Sequence, residues 1–208
     1  MSRVCRAIVV VLFANWAFAG QPAGAEEKED GFLSLFNGKD LGGWVYLGKG
    51  KSPFSVKDGA IYYKGGSGWL CYEKQEFPHF ELRLEFRLIK KGGDGGIFFR
   101  ASKDAKGGAS WPSQRYELQV KDYAQQARLW GLPYQLDEKK VANVRKPVGE
   151  WETYRLIVQG PRVRVYLNGE LVTTSDGAKR LSPGFIGLQA ERGEQAFRNL
   201  RIRPLPAE

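Results

Sequence analysis

The segment Arg115-Tyr116-Glu117-Leu118-Gln119-Val120-Lys121-Asp122 alternates polar and apolar residues without a break. In an extended strand successive side chains point to opposite faces, so Tyr116, Leu118 and Val120 share one face and Glu117, Gln119 and Lys121 the other. The first face belongs to a core. The second is either wet surface or the floor of a site, and its environment decides which.

The same alternation recurs on both sides. Phe80, Leu82, Leu84, Phe86 and Leu88 line one face of a long strand, and Gly95 to Ser102 supplies another. Tyr154, Leu156 and Val158 precede Val163, Val165 and Leu167, which end at Asn168-Gly169, a hairpin turn because both residues accept positive φ. Glu170 to Thr174 should pair back. Ile186 and Leu188, then Leu200 and Ile202, read as a C-terminal pair of strands, with Phe32, Leu33, Leu35 and Phe36 beside the last. The 26 glycines and 10 prolines punctuate short apolar alternations, and no helical period exceeds about three turns. Ala124 to Leu129 reads as a short helix or an irregular loop. The fold class is therefore all-β, two antiparallel sheets packed face to face. Residues 103–114 and 123–150 read as long loops flanking the opening strand, and loops beyond about 12–15 residues in a compact domain tend to be functional.

Arg3 and Arg6 precede an apolar run from Ala7 to Phe18, too short to span a bilayer. Residues 1–25 read as a secretory signal, cut after Ala25 in preference to Ala19, with an uncleaved membrane anchor as the alternative. Residues 26–30 read as a charged segment and 31–205 as one domain, and the expectation is an exported protein, periplasmic or secreted, with no membrane span once the signal is gone. Without the signal the formal charge falls from +9 to about +7, because Arg3 and Arg6 leave with it. The charges interleave, as in Glu81-Leu82-Arg83-Leu84-Glu85-Phe86-Arg87, so nucleic acid is not an expected partner. Cys71 is then the one remaining cysteine and His79 the one histidine. A Cys/His dyad, a disulfide and a histidine-rich zinc centre are all disfavoured.

An ordered set of motifs carries a resemblance. Gly31-Phe32-Leu33-Ser34-Leu35-Phe36-Asn37-Gly38-Lys39-Asp40-Leu41 with Trp44, Asp58-Gly59-Ala60-Ile61, Gly68-Trp69-Leu70, the 92–100 segment GGDGGIFFR, Tyr116-Glu117-Leu118-Gln119, Lys146-Pro147-Val148-Gly149-Glu150-Trp151, Leu167-Asn168-Gly169, Gly187-Leu188-Gln189 and Phe197-Arg198-Asn199-Leu200 follow one another through the chain. The whole resembles the 3-keto-disaccharide hydrolase domain family, exported bacterial proteins with a concanavalin A-like jelly-roll fold. The chain departs from the family pattern where it has Asp94, Glu152, Val165-Tyr166 and Ala190-Glu191; if a histidine carries the proton in relatives, this chain uses a carboxylate or does no chemistry.

The resemblance implies a substrate already oxidised at C3 of a sugar. The ketone acidifies the C2 proton, so a base can remove it, the enolate can expel the C1 leaving group, and water can add back. Glu117 is the candidate base, with burial beneath the loops raising its pKa. Arg100, at the end of GGDGGIFFR, is the candidate to polarise the ketone. Gln119 would hold a hydroxyl or a metal-bound water, and Asp122 would reach the site if the strand bulges. Trp111, Trp130 and Tyr134 would supply stacking surfaces for a sugar ring, while Trp44, Trp69 and Trp151 read as core. A divalent cation stays open, with oxygens from Glu117, Asp122, Asp94 or Gln119. The competing readings are a lectin-like module that binds glycan without turnover, and a structural envelope protein.

Overall fold

The computed structural model describes residues 31–104, 111–122 and 125–207. The readings of residues 1–25 as a signal and 26–30 as a charged segment fall outside them, as does part of the 124–129 reading. Among the described residues, strands form two antiparallel sheets. In spatial order the larger holds β10 (Gln135–Leu136), β13 (Glu170–Ser175), β12 (Arg162–Leu167), β11 (Glu152–Gln159), β6 (Phe80–Leu88), β15 (Glu194–Pro204), β4 (Ala60–Lys64) and β3 (Phe54–Lys57), with β1 (Leu33–Ser34) also against β15. The smaller holds β2 (Trp44–Gly48), β5 (Gly68–Tyr72), β14 (Phe185–Arg192), β7 (Asp94–Ala101), β8 (Tyr116–Lys121) and β9 (Leu129–Trp130). This is an all-β jelly-roll sandwich.

The alternations dictate the packing. Leu82, Leu84 and Phe86 of β6 and Leu156 and Val158 of β11 meet Ile97, Phe99, Leu118 and Val120 of the smaller sheet in one buried core. Burial of each such side chain is worth about 1.5–3 kcal/mol. Phe86 stacks on Tyr154 with ring centroids 4.5 Å apart. At the β12–β13 turn Asn168 has φ 49 and Gly169 φ 92, as the Asn-Gly pair requires.

Two expectations change. The C-terminal strands β14 and β15 are consecutive but do not pair: β14 joins β5 and β7, whereas β15 joins β6 and β4. Gly193, at φ 77, turns the corner between sheets, which lets Leu188 and Phe197 both enter the core from opposite layers. One short helix, α1 (Glu138–Val144), stands in the second long loop. Asp137 caps it by accepting from the Lys140 N–H at 2.9 Å. Among the described residues no helix is long and apolar enough to cross a membrane.

Hydrogen bonds reaching across the core fix the strands that matter below. The Tyr154 hydroxyl donates to the Gln119 carbonyl and accepts from the Ala127 N–H, each at 2.9 Å. The Tyr63 hydroxyl donates to the Asp94 carbonyl at 2.9 Å, and Gln195 Nε2 donates to the Val120 carbonyl at 3.0 Å. β7 and β8 are thus tied from behind by groups of the larger sheet, which holds their outer face in place.

Candidate functional site

The face of the smaller sheet turned away from the core is assembled by strand register. One row across it reads Val45, Cys71, Gly187, Phe98, Glu117 and Trp130. The next reads Leu47, Trp69, Gln189, Gly96 and Gln119, and beyond it Asp94 pairs with Lys121. The β2–β5–β14 side is therefore largely apolar, the β7–β8 side largely polar.

The apolar half is built from rings. Trp69 meets Phe98 edge-on at 5.7 Å and Phe98 meets Trp111 at 6.0 Å, with Cys71, Val45 and Leu47 packed around them. Gly187 lets the Trp69 ring lie on the sheet, because a Cβ there would stand 2.2 Å from the ring. Gly96 does the same for the carboxylate of Glu117, which would meet such a Cβ at 2.5 Å.

Glu117 is only 3% exposed. Burial pushes its carboxyl up to about 7; the nearby Glu191 and Asp94 charges push the same way, against Arg115 and Lys121. Gln119 Nε2 donates to Glu117 Oε1. Arg115 Nε lies 3.9 Å from Glu117 Oε2, its guanidinium stacked over Trp130 at 4.5 Å and near Phe98 at 5.3 Å. Asp94 holds Arg192 at 2.8 Å and Lys121 at 3.0 Å, both on Oδ2. Five polar atoms of this face are buried without a hydrogen-bond partner: Trp69 Nε1, Asp94 Oδ1, Arg115 Nε, Gln119 Oε1 and Gln189 Oε1. Native interiors satisfy nearly all such groups with protein or ordered water, so a cluster on one face marks a place for water or ligand atoms.

The expected site residues divide. Glu117, Gln119, Trp111 and Trp130 come together on this face, Trp130 at its edge and 54% exposed. Arg100 does not join them. Its φ of 47 places a bulge in β7, between the pairings Phe185 to Ala101 and Gly187 to Phe98, so the alternation slips. Ala101 packs with Trp69 and Phe98, and the Arg100 guanidinium instead donates to the carbonyls of Pro78, Gly160 and Arg180 at 2.7–3.0 Å. It clamps the end of the sandwich. Asp122 is likewise elsewhere: β8 ends at Lys121 without a bulge, and the Asp122 carboxylate accepts the Gly92 N–H of the β6–β7 loop. Tyr134 belongs to the main core and to a small hollow beside Thr174 and Asp176 of the larger sheet.

Arg115, Trp69, Gln189 and Asp94 are the residues whose roles sequence reasoning missed. Arg115 was readable, since it has the parity of Glu117 two positions on. Trp69 is a core residue on the sequence reading and is indeed fully buried, but in the cluster on the outer face. Cys71 offers no nucleophile: burial pushes its thiol up to about 12, and His79 Nδ1 is occupied by the Gly160 N–H at 3.1 Å. Among the described residues no group of three or more His, Cys, Asp or Glu could hold a metal ion. A cavity of about 660 Å³ lies elsewhere, beside α1 against Leu136, Val141 and Pro147, and has no unpartnered buried acceptor.

Comparison with known proteins agrees with this architecture. A 3-keto-disaccharide hydrolase of Bacteroides thetaiotaomicron is 26% identical over 231 aligned residues, covering 85% of this chain and 79% of that protein. The crystal structure of a candidate glycosyl hydrolase from Parabacteroides distasonis ATCC 8503 matches with a TM-score of 0.65 at 26% identity, over 84% of this chain and 99% of that one. The carbohydrate binding module CBM66 from Bacillus subtilis shares the fold, with a TM-score of 0.56 at 19% identity over 77% of this chain and 95% of that one. The 3-keto-alpha-glucoside-1,2-lyase-like domain matches residues 31–203, and the chain belongs to that family.

Proposed function

We propose that this protein cleaves glycosides whose sugar is already a ketone at C3, by elimination followed by hydration, with Glu117 as the base. The observation that carries the proposal is a carboxylate only 3% exposed on the outer face of the smaller sheet, 3.9 Å from the Arg115 cation and beside an aromatic wall. Burial pushes its carboxyl up to about 7, a range in which the carboxylate can take a proton and the conjugate acid can return it.

The chemistry balances on residues of this face. The Glu117 carboxylate takes the C2 proton, and the electron pair forms the C2–C3 enolate with its charge on the former ketone oxygen. Arg115, whose Nε has no hydrogen-bond partner, stands 3.9 Å from Glu117 and is placed to stabilise that oxygen. The enolate re-forms the ketone and expels the C1 oxygen, which takes the proton that Glu117 abstracted. Water then adds across C1 and C2: the reionised Glu117 takes its proton as the hydroxyl bonds to C1 and delivers that proton to C2, for a net hydrolysis. The rings of Trp111 and Trp130, the first backed by the buried Phe98 and Trp69, give the sugar its apolar platform. Export through the 1–25 segment completes the proposal, and N-terminal sequencing of the mature protein tests it.

The second reading is a glycan-binding module. The likeness of fold to CBM66 favours it, as does a face whose aromatic platform and amide acceptors would serve a binder equally. A product assay on a small panel of 3-keto disaccharides, with and without chelator, separates the two. Release of the C1 alcohol by wild type and its loss in Glu117→Gln supports the lyase-like hydrolase; calorimetric binding of plain oligosaccharide with no product from any keto substrate supports the binder.

A further inference from the structure

Gln119 on β8 and Gln189 on β14 stand directly across β7 from each other, each in register with Gly96, which places no side chain between them. Two strand spacings separate their backbones, about 10 Å. Both amides are oriented by carboxylates: Gln119 Nε2 donates to Glu117, and Gln189 Nε2 points to Glu191 Oε2 at 3.4 Å. Each therefore turns its carbonyl oxygen the other way, and both oxygens are buried and unpartnered. Asp94 Oδ1, two residues from Gly96 on the same face, is a third such acceptor.

We propose that Gln119 and Gln189 are a pair of hydroxyl acceptors that grip opposite sides of one sugar ring and, with Asp94, set which hydroxyls a substrate must carry. This rests on the reading of the face as a keto-sugar site. An amide oxygen locked in this way accepts a hydrogen bond and repels a ketone or ether oxygen. The three acceptors therefore face the hydroxyl-bearing edge of the ring, and the ketone edge turns to Arg115. A divalent cation would also satisfy oxygens, but Asp94 is already neutralised by Arg192 and Lys121.

The test compares kcat/KM for a 3-keto glucoside and its 2-, 4- and 6-deoxy analogues on wild type, Gln119→Met and Gln189→Met. Wild type should discriminate against at least two analogues by tenfold or more. Gln189→Met should lose one of these discriminations, to within about twofold, and keep the other, with Gln119→Met showing the reverse. Ratios within one variant cancel any effect of Gln119 on the base. Discrimination intact in both variants, or absent in wild type, overturns the proposal, as does loss of sugar binding on chelation. If no keto sugar is turned over, the same ratios are read as dissociation constants for methyl glucoside and its deoxy analogues: collapse there upholds the pair while removing the lyase reading, and no binding overturns both. Without ligand Gln189→Met should melt no lower than wild type, because the unpartnered Oε1 it removes offsets the loss of the long 3.4 Å bond from Nε2 to Glu191; a melt several degrees lower assigns Gln189 to scaffolding and sinks its part.

Discussion

Glu81 on β6 and Glu117 on β8 each hold the second position of a strand, with an aromatic residue before and a leucine after: Phe80-Glu81-Leu82 against Tyr116-Glu117-Leu118. Each sits on the face turned away from the core, and each is nearly buried, at 2% and 3% exposure. Their surroundings differ entirely. Glu81 accepts from Arg155 at 2.6 Å, Arg83 at 2.7 Å and Arg203 at 2.7 Å. Burial alone would raise its carboxyl, yet the three guanidinium groups hold it down at about 2. Glu117 has an amide, the rim of an aromatic wall and one loosely paired arginine, and rests at about 7. The lesson is that burial sets the size of the electrostatic problem, while cross-strand partners decide whether a carboxylate becomes a permanent anion or a group that moves a proton.

The largest expected break in this comparison is in turnover. Glu117→Gln should lower kcat/KM on a 3-keto glucoside by about a thousandfold, the usual scale for a general base, whereas Glu81→Gln should leave the rate per folded molecule within about twofold. For wild type the rate should rise with pH through about 7, since the base must be ionised. A flat pH–rate profile, or equal losses in the two variants, would remove Glu117 from the chemistry.

Stability against pH should separate them next, with opposite signs. Glu117 is raised in the fold, so its contribution is fully present below about 4.5 and lost as pH rises through about 7. Glu117→Gln should then be more stable than wild type at pH 8, by up to about 3 kcal/mol, with the gap closing at pH 4. Glu81 is lowered, so its contribution is present above about 4.5 and lost as pH falls through about 2. Glu81→Gln should cost about 1–2 kcal/mol at pH 7, discounted because its arginine partners are 30–41% exposed, and the loss should shrink in acid. Denaturant unfolding at several pH values reads both; curves that run parallel would mean the two glutamates are not held differently.

Much of this was legible in the sequence, for physical reasons that also mark where reading stopped. Strict alternation in Tyr116 to Lys121 fixes which residues share a face, so Glu117, Gln119 and Arg115 follow from parity alone. Parity does not report strand neighbours. Gln189 reaches the same face through register with Gly96, Asp94 through the register of β7 that pairs it with Lys121, and Trp69 through register with Gln189, and none of these pairings is encoded locally. Arg100 shows the opposite failure. Its parity within Gly95 to Ser102 is right for the site, but one residue at positive φ slips the alternation, and bulges at non-glycine positions leave little trace in a sequence. The pairing of β14 with β15 failed for a related reason, since neighbouring strands in the chain can serve opposite layers once a glycine turns the corner.

The finest test concerns Arg115, the stronger of the two cations that oppose the burial of Glu117. Arg115 lies 3.9 Å away and opposes the effect of burial, as the arginines do more completely at Glu81. Arg115→Met keeps a long side chain to cover Trp130 and Phe98 but removes the charge. The pH midpoint of kcat/KM should then move upward by about one unit, the scale of a partly screened pair at that distance. The plateau above the midpoint should also drop, because the enolate oxygen loses its donor. The two readouts are separable: a lower plateau with an unmoved midpoint would leave Arg115 as a substrate contact electrically remote from the base, and a midpoint moving down would mean that another cation, Lys121 foremost, governs the carboxylate.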